Sequence, residues 1–300
     1  MRVFLTGGTG FIGTQLVQAL VERGDECVVV TRSGKNPWSS DLVEILKTDP
    51  ASAGEWQDSI SGVDAVVNLA GERIVDPPRR WTANRKKQLL ESRVNTTANI
   101  ADAIRRAKTP PELFVSGSAI GYYGPRRDEK VDESASAGND FLATVARVWE
   151  EAANAVKDVV PVALLRTGIV LGRGGGALGS LLPSFKMGLG GPWGDGRQWW
   201  SWIHMDDEVG VILMILDRKL DGVFNLTSPN QVTVNEFASS LGKALRRPAW
   251  FRAPASFLRA ALGEGASALL DLQRVVPARA LECGYEFRFP TVAEALKALV

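Results

Sequence analysis

Thr6-Gly7-Gly8-Thr9-Gly10-Phe11-Ile12-Gly13 lies between two contrasting segments. Before it runs a short, apolar, β-prone stretch, Arg2-Val3-Phe4-Leu5. After it, from Thr14 to Arg23, Leu16, Val17, Leu20 and Val21 recur at helical spacing until Gly24 supplies a C-cap. The order is strand, glycine turn, helix. Glycines at 7, 10 and 13 suit a turn that leaves a strand tightly, lets backbone N–H groups approach a pyrophosphate, and packs helix against strand closely. The positive end of the helix dipole then faces the phosphates. This assigns Gly7, Thr9, Gly10, Phe11, Ile12 and Gly13 to a dinucleotide site.

Working outward, Cys27-Val28-Val29-Val30-Thr31 predicts a second strand buried on both faces. Just past it stand Arg32 and Ser33. An acidic side chain at this place would accept hydrogen bonds from an unphosphorylated ribose, whereas Arg32 can pair with a 2′-phosphate. The sign of that charge predicts NADP (NADPH) over NAD, with Thr31, Arg32 and Ser33 as ligands. Lys35 is close enough to share the role. The segment from 34 to 62 is less regular, with a minor strand near Ile45 to Lys47 and Asp49 as a candidate for the adenine edge.

Asp64 to Gly71 predicts a strand over 65–67 that ends on small residues, where Leu69, Ala70 and Gly71 leave room for a cofactor and Glu72 stands at the rim. A long polar helix is expected from Trp81 to Ala107. Its Gln88, Ser92, Arg93 and Asn95 lie where side chains could point toward the crevice. Leu113-Phe114-Val115-Ser116 is the next strand, carrying Ser116 and then Ser118 to the place where a substrate oxygen would sit. A helix over Phe141 to Lys157 and a strand over Val162 to Arg166 follow. Arg166 is a candidate for cofactor or substrate anion, with a salt bridge inside the domain equally open.

Alternating strands and helices through 166 argue for an α/β chain, a Rossmann-like doubly wound parallel sheet with a smaller mixed C-terminal substrate domain. The expected division is 1–166 for the NADP-binding domain, with the segment near 223–245 returning to it, and 167–300 mainly for the substrate domain. Within the latter, Asp206 or Asp207 is expected to cap a helix over Glu208 to Leu216. Helices are expected at Thr233 to Leu245, Ala255 to Leu262, Ala266 to Val276 and after Pro290. Four tryptophans, Trp193, Trp199, Trp200 and Trp202, crowd one glycine-rich segment. They read as core packing between the domains or as an aromatic wall, with Gln198 and Arg197 as polar anchors for a flat or sugar-like ligand.

A net charge of +1 recommends neither nucleic acid nor an anionic membrane as partner, and no basic stripe interleaved with aromatics stands out. No signal-peptide pattern opens the chain, so a cytoplasmic protein is expected. Cys27 and Cys283 make neither a disulfide framework nor a metal site, and no metal is expected.

These motifs resemble the extended short-chain dehydrogenase/reductase superfamily, which includes nucleotide-sugar epimerases. Asn68 to Gly71, Tyr123-Gly124, Arg166 and Trp202 to Asp207 extend the likeness along the chain. Gly121 to Gly124, Trp149-Glu150 and Gly190-Gly191-Pro192 look like a branch called epimerase-family protein, which also carries a C-terminal domain of unknown function, here at about 247–300. The resemblance implies a Ser or Thr that polarises the substrate oxygen and a Tyr-x-x-x-Lys pair that handles its proton. Ser118 matches the hydroxyl member. Counting back from Trp149-Glu150, the Tyr place falls at or next to Leu142 and the Lys place at Ala146, so the pair is missing. Ser118 and Tyr123 are the catalytic candidates, with Tyr122 and His204 behind them. His204, the only histidine, reads more readily as a structural hydrogen-bonding residue.

Two functions follow. The favoured one is an NADP-binding oxidoreductase or epimerase with a displaced proton donor, acting on a carbonyl or sugar-like small molecule. The other is a non-catalytic NADP-binding sensor or scaffold with a protein partner, related to cell division as some relatives are named.

Overall fold

The computed structural model describes residues 1–76 and 79–300. Seven parallel strands form the central sheet: β1 (Arg2–Thr6), β2 (Glu26–Thr31), β3 (Val43–Lys47), β4 (Ala65–Asn68), β5 (Leu113–Ala119), β6 (Val162–Thr167) and β7 (Gly222–Leu226). Their spatial order is β7-β6-β5-β4-β1-β2-β3. The order reverses between β1 and β4, which opens a crevice at the carboxyl ends of those strands.

The strands are apolar on both faces because helices cover both. Val3 and Leu5 share one core with Val29, Val67, Val115 and Leu165, beneath α1 (Phe11–Glu22) and α5 (Met205–Arg218). Phe4 points the other way, with Val28, Val30, Val66, Phe114 and Leu164, toward α2 (Ala83–Arg106) and α3 (Phe141–Asn154). Cys27 is buried in the first core, and burial pushes its thiol up to about 12, which makes it inert near neutrality. Thr82 caps α2 by accepting from the Arg85 N–H, Asp140 caps α3 through Ala143, and Arg105 and Arg106 complement the α2 dipole at its far end.

A second core lies among later residues. Trp193, Trp200 and Trp202 are buried there with Phe185 of α4 (Gly176–Lys186) and Phe237 of α6 (Val234–Leu245). Trp193 and Trp200 meet edge to face at 4.9 Å. These tryptophans are therefore core residues of this cluster rather than an exposed aromatic wall. Trp199 alone sits nearer the surface, under Arg274 and donating to Asp128 at 2.8 Å.

Several boundaries differ from expectation. Residues 223–226 do return to the sheet as its edge strand, but α6 packs into the second core instead. Conversely α5, expected in the substrate domain, lies on the sheet beside α1. The helix expected over 266–276 is replaced by short turns to Leu270 and a two-residue strand, Arg274–Val275, which pairs with Lys130–Val131. α7 (Ala255–Leu262) and a terminal helix α8 (Val292–Leu299) stand as expected. No helix among the described residues is long and apolar enough to cross a membrane.

Candidate active site

Close backbone approach dictates the glycines of the first turn. Gly7 has φ of 73°, and a β carbon there would lie 2.5 Å from the Leu69 carbonyl carbon. At Gly13 it would lie 2.2 Å from the Gly7 carbonyl oxygen. The Gly7 carbonyl in turn accepts from the Gly10 N–H at 2.9 Å, closing the turn. Helix α1 begins at Phe11, earlier than its apolar period indicates. Gly10 caps it without a side chain and its first turn carries no acid, so its leading N–H groups and positive end are unopposed. The side chains of Phe11, Ile12 and Leu69 pack against the core, which leaves their backbone as the part that lines the cradle. Phe11 is further covered by Gly172, Gly175 and Gly176, at each of which a β carbon would come within 2.9 Å of its ring. Gly8 is equally constrained, at 2.7 Å from Val29, although the glycine spacing does not single it out.

Arg32 stands at the end of β2 with 71 % of its side chain exposed, and its Nη2 is 3.6 Å from Glu72 Oε1. The Thr31 and Ser33 hydroxyls are 3.2 Å apart, and the Ser33 Oγ also accepts from the Lys35 N–H. Asp49 turns back to accept from Ala51 in its own loop. Glu72 is held from three sides. Its carboxylate pairs with Arg85 at 3.3 Å, its N–H donates to Ser92 Oγ, and its carbonyl accepts from Arg93 Nη2 at 2.9 Å. Gln88 and Asn95 are exposed, with Gln88 reaching only Arg85, at 3.5 Å.

Arg93 is the unusual member of this group. It is buried, its Nη1 donates to the Leu89 carbonyl at 3.0 Å, and its guanidinium lies over the Trp149 ring at 5.2 Å. Its guanidinium carbon lies 3.0 Å from where Gly71 would carry a β carbon. No carboxylate pairs with it among the described residues. Burial lowers its pKa to about 10, so it remains a cation at neutral pH. Beneath it a chain of buried polar groups ties the strand ends together. Thr6 Oγ1 donates to Asn68 Oδ1 at 2.7 Å, Asn68 donates to Thr97 Oγ1 at 2.8 Å, and Trp149 Nε1 donates to the same Thr97 oxygen at 2.9 Å.

A second network closes the ends of β5, β6 and β7. Arg166 donates to both carboxylate oxygens of Glu150 at 2.8 Å, and Ser118 donates to Glu150 Oε1 at 2.7 Å. Arg166 also donates to the Tyr123 hydroxyl, which donates to Asn225 Oδ1 at 2.6 Å. Burial works against the Arg166 charge, but the bonds and field of Glu150 outweigh it and the pKa is raised.

This network corrects the roles expected for three residues. Arg166 makes the intradomain salt bridge, so its guanidinium is committed rather than offered to a cofactor. Tyr123 is sealed from solvent, its hydroxyl is engaged by Asn225 and Arg166, and burial pushes its phenol up to about 12, so it stays protonated near neutrality. Ser116 is fully buried and its hydroxyl donates to the Gly117 carbonyl at 3.3 Å, so only its backbone remains for a ligand. Ser118 keeps acceptor lone pairs after donating to Glu150. Tyr122 packs its ring 3.4 Å from the Arg166 guanidinium carbon, and its hydroxyl has no hydrogen-bond partner among the described residues. On α3, Ala146 is buried, Leu142 packs on Gly121 and Trp149 packs on Gly117, which makes this face apolar as its sequence requires.

His204 caps α5 itself. Its Nδ1 accepts from the Asp206 N–H at 3.1 Å, so Asp206 and Asp207 are not the caps, and its ring stacks on Phe289 at 3.8 Å. Burial lowers its pKa, so it is neutral at pH 7 with the proton assigned to Nε2. Asp207 instead accepts from the backbone N–H groups of Arg288 and Phe289, tying the C-terminal segment to α5. Glu208 was signalled by nothing in the sequence. It is fully buried, accepts from Thr167 Oγ1 at 2.9 Å, and is pushed by burial up to about 8. Among the described residues no cluster of three or more His, Cys, Asp or Glu is arranged to hold a metal.

Residues 3–227 match the NAD dependent epimerase/dehydratase family, and residues 253–299 match a domain of unknown function, DUF1731. The chain is 42 % identical over 307 residues to the chloroplastic epimerase family protein SDR39U1 homolog of Arabidopsis thaliana, covering all of this chain and 87 % of that one. It is 40 % identical over 306 residues to the Homo sapiens epimerase family protein SDR39U1, covering all of both. A crystal structure of human SDR39U1 (isoform 2) with NADPH superposes at a TM-score of 0.90, with 39 % identity and coverage of 100 % of this chain and 99 % of that one. A glycine cradle at the reversal point of a parallel sheet and these full-length similarities agree: the chain belongs to the NAD dependent epimerase/dehydratase family.

Proposed function

We propose that this chain is an NADP-dependent oxidoreductase or epimerase that acts on a carbonyl or sugar-like small molecule without the usual Tyr and Lys pair. The observation that carries it is the crevice between β1 and β4. Gly7 and Gly13 let the backbone of the turn close to distances that any β carbon would block, the α1 terminus has no side-chain cap, and a buried guanidinium without a carboxylate stands beside Gly71. That set suits a dinucleotide.

The α1 amides of Phe11, Ile12 and Gly13 hold the pyrophosphate, with Gly7, Thr9 and Gly10 shaping the turn. Arg32 pairs with the 2′-phosphate, flanked by Thr31 and Ser33 and with Lys35 in reach. Leu69, Ala70 and Gly71 give the cofactor passage along the end of β4. Glu72 and Gln88 orient Arg32 and Arg85 at the rim. Arg93 fixes the Glu72 carbonyl and sets a positive field over Gly71. The bound nicotinamide supplies a hydride donor or acceptor. Ser118 accepts a hydrogen bond from a substrate hydroxyl with its free lone pairs, while its own O–H stays donated to Glu150. Human SDR39U1, crystallised with NADPH, supports the choice of cofactor.

Calorimetric titration with NADPH and NADH, followed by a panel of carbonyl compounds and nucleotide sugars read by nicotinamide absorbance, tests the proposal. NADPH is expected to bind more tightly, and at least one substrate to turn over in a way that Ser118→Ala slows. Tighter NADH uptake, or none of either, overturns it. Tight NADPH uptake without turnover favours the sensor reading instead.

A further inference from the structure

Met187, Leu189, Trp250, Phe251 and Phe257 are exposed by 68, 55, 81, 63 and 63 %. The backbone brings the first four of them together. Phe251 donates its N–H to the Gly190 carbonyl at 3.2 Å, and Pro248 lies 3.6 Å from where Gly188 would carry a β carbon. Phe257 follows on α7, a helix that buries only Leu262 fully and is held to the rest through carbonyls of Ala260 and Ala261 by Arg80. Solvent-exposed aromatic and aliphatic groups in this density mark an interaction surface.

Along the chain the charge around them is of one sign. From Phe237 to Gly263 the chain has five basic residues and no acidic one, which leaves the remainder of a +1 chain at −4. Lys243, Arg246, Arg247, Arg252 and Arg259, together with Lys186 beside Met187, form no ion pair among the described residues. The flanking carboxylates are occupied elsewhere, Glu236 in the cap at Thr233 and Glu264 with Lys86. Lys243, Arg246 and Arg247 line one shallow cavity with Trp250. A near-zero net charge thus conceals a basic stretch interleaved with aromatics, contrary to the expectation drawn from composition.

The occupant follows from both features together. A second copy of the chain would set these cations against their own images, which costs association energy. Polyanions alone would leave the five apolar groups in water. A lipid surface offers anions at headgroup depth and hydrocarbon beneath, with arginine and lysine stems spanning between them. We propose that this face docks on membranes rich in anionic lipid, with Trp250, Phe251 and Phe257 entering the acyl boundary and Arg246, Arg247 and Lys243 at the headgroups.

Co-sedimentation of the full chain with vesicles of phosphatidylcholine alone, or in equal parts with phosphatidylserine, tests this. Binding is expected on the anionic vesicles only and is expected to fall with added salt. Arg246→Glu with Arg247→Glu should weaken it by about 25-fold or more, about five-fold for each cation removed. Trp250→Ala with Phe251→Ala should weaken it as well. Both variants should keep NADPH affinity and melting temperature, because neither touches the glycine cradle. Equal binding to neutral vesicles, no binding, or indifference to both variants overturns the proposal. So does a dimer in light scattering that Trp250→Glu dissociates, since the face would then belong to a second copy.

Discussion

Glu208 offers a test in which the sign and size can be worked before the measurement. The carboxyl is fully buried in the first turn of α5, its one hydrogen-bond donor is the Thr167 hydroxyl, and Oε2 has no partner among the described residues. Desolvation raises its pKa from 4.5 to about 8. Below 4.5 the carboxyl is protonated in both folded and unfolded chains and contributes no pH dependence. Between 4.5 and about 8 the unfolded chain releases the proton while the folded chain keeps it, so stability falls as pH rises. Above that window both forms are ionised and the slope ends. From 4.5 to pH 7, at about 1.4 kcal/mol per unit, the folded state loses about 3 kcal/mol. Glu208→Gln keeps the oxygen that accepts from Thr167, puts an N–H donor where the protonated acid has O–H, and removes the titration. Urea unfolding of both chains should agree within about 1 kcal/mol near pH 5 and separate by about 3 kcal/mol at pH 7, with the variant more stable. A difference that does not change with pH, or a variant less stable at pH 7, would show that Glu208 is ionised in the fold and refute the reasoning.

The other perturbations separate the cradle from the network. Arg32→Ala should raise the NADPH dissociation constant by about 10- to 150-fold, the value of about 1.5 to 3 kcal/mol of charge-assisted bonding, and leave NADH unchanged in calorimetry. Gly13→Ala would drive a β carbon to 2.2 Å from the Gly7 carbonyl oxygen, so NADPH uptake should be lost and the melting temperature lowered. Tyr123→Phe leaves Asn225 Oδ1 and Arg166 Nη1 short of a partner and should destabilise by about 1 to 3 kcal/mol in urea; turnover at its original rate by the folded variant would confirm that the phenol transfers no proton. Glu150→Gln strands a buried guanidinium and should cost about 3 to 5 kcal/mol in the same assay, and a cost under about 1 kcal/mol would mean water reaches Arg166.

How far the sequence discloses these features follows from whether each depends on local or distant neighbours. The glycine spacing, the apolar strands and the capped helices are set within a few residues, and the parallel sheet follows because parallel strands need helical crossovers. The apolar face at Leu142, Ala146 and Trp149 is likewise visible from one helix. Arg166 was open between ligand and salt bridge because Glu150 reaches it only when α3 lies on β6. Tyr123 carries no local sign that β7 brings Asn225 to its hydroxyl. Glu208 follows two aspartates in a segment that reads as a solvated helix start, and only the docking of α5 on the sheet buries it. The helical turns over 263–270 end short of Val276 because Arg274–Val275 extend to pair with Lys130–Val131, a distant contact that no local pattern discloses.

Arg93 and Arg166, two of the buried arginines, show where the field of the crevice originates. Arg166 shares both carboxylate oxygens of Glu150, so the pair presents little net charge to a ligand, and its neighbours Tyr123 and Asn225 accept or donate within the same closed set. Arg93 is held by the carbonyls of Leu89 and Glu72 and by the Trp149 ring, partners that orient a cation without neutralising it. A charge removed from water without a counter-ion is costly to the fold, and such groups persist where something else compensates them. Ala146 keeps this face of α3 apolar, and α2 faces that helix across Trp149. The unpaired buried charge of the crevice therefore resides on α2, beside the Gly71 backbone where the proposed cofactor passes, and an electron-rich group lodged there would complete the coordination that the protein leaves open.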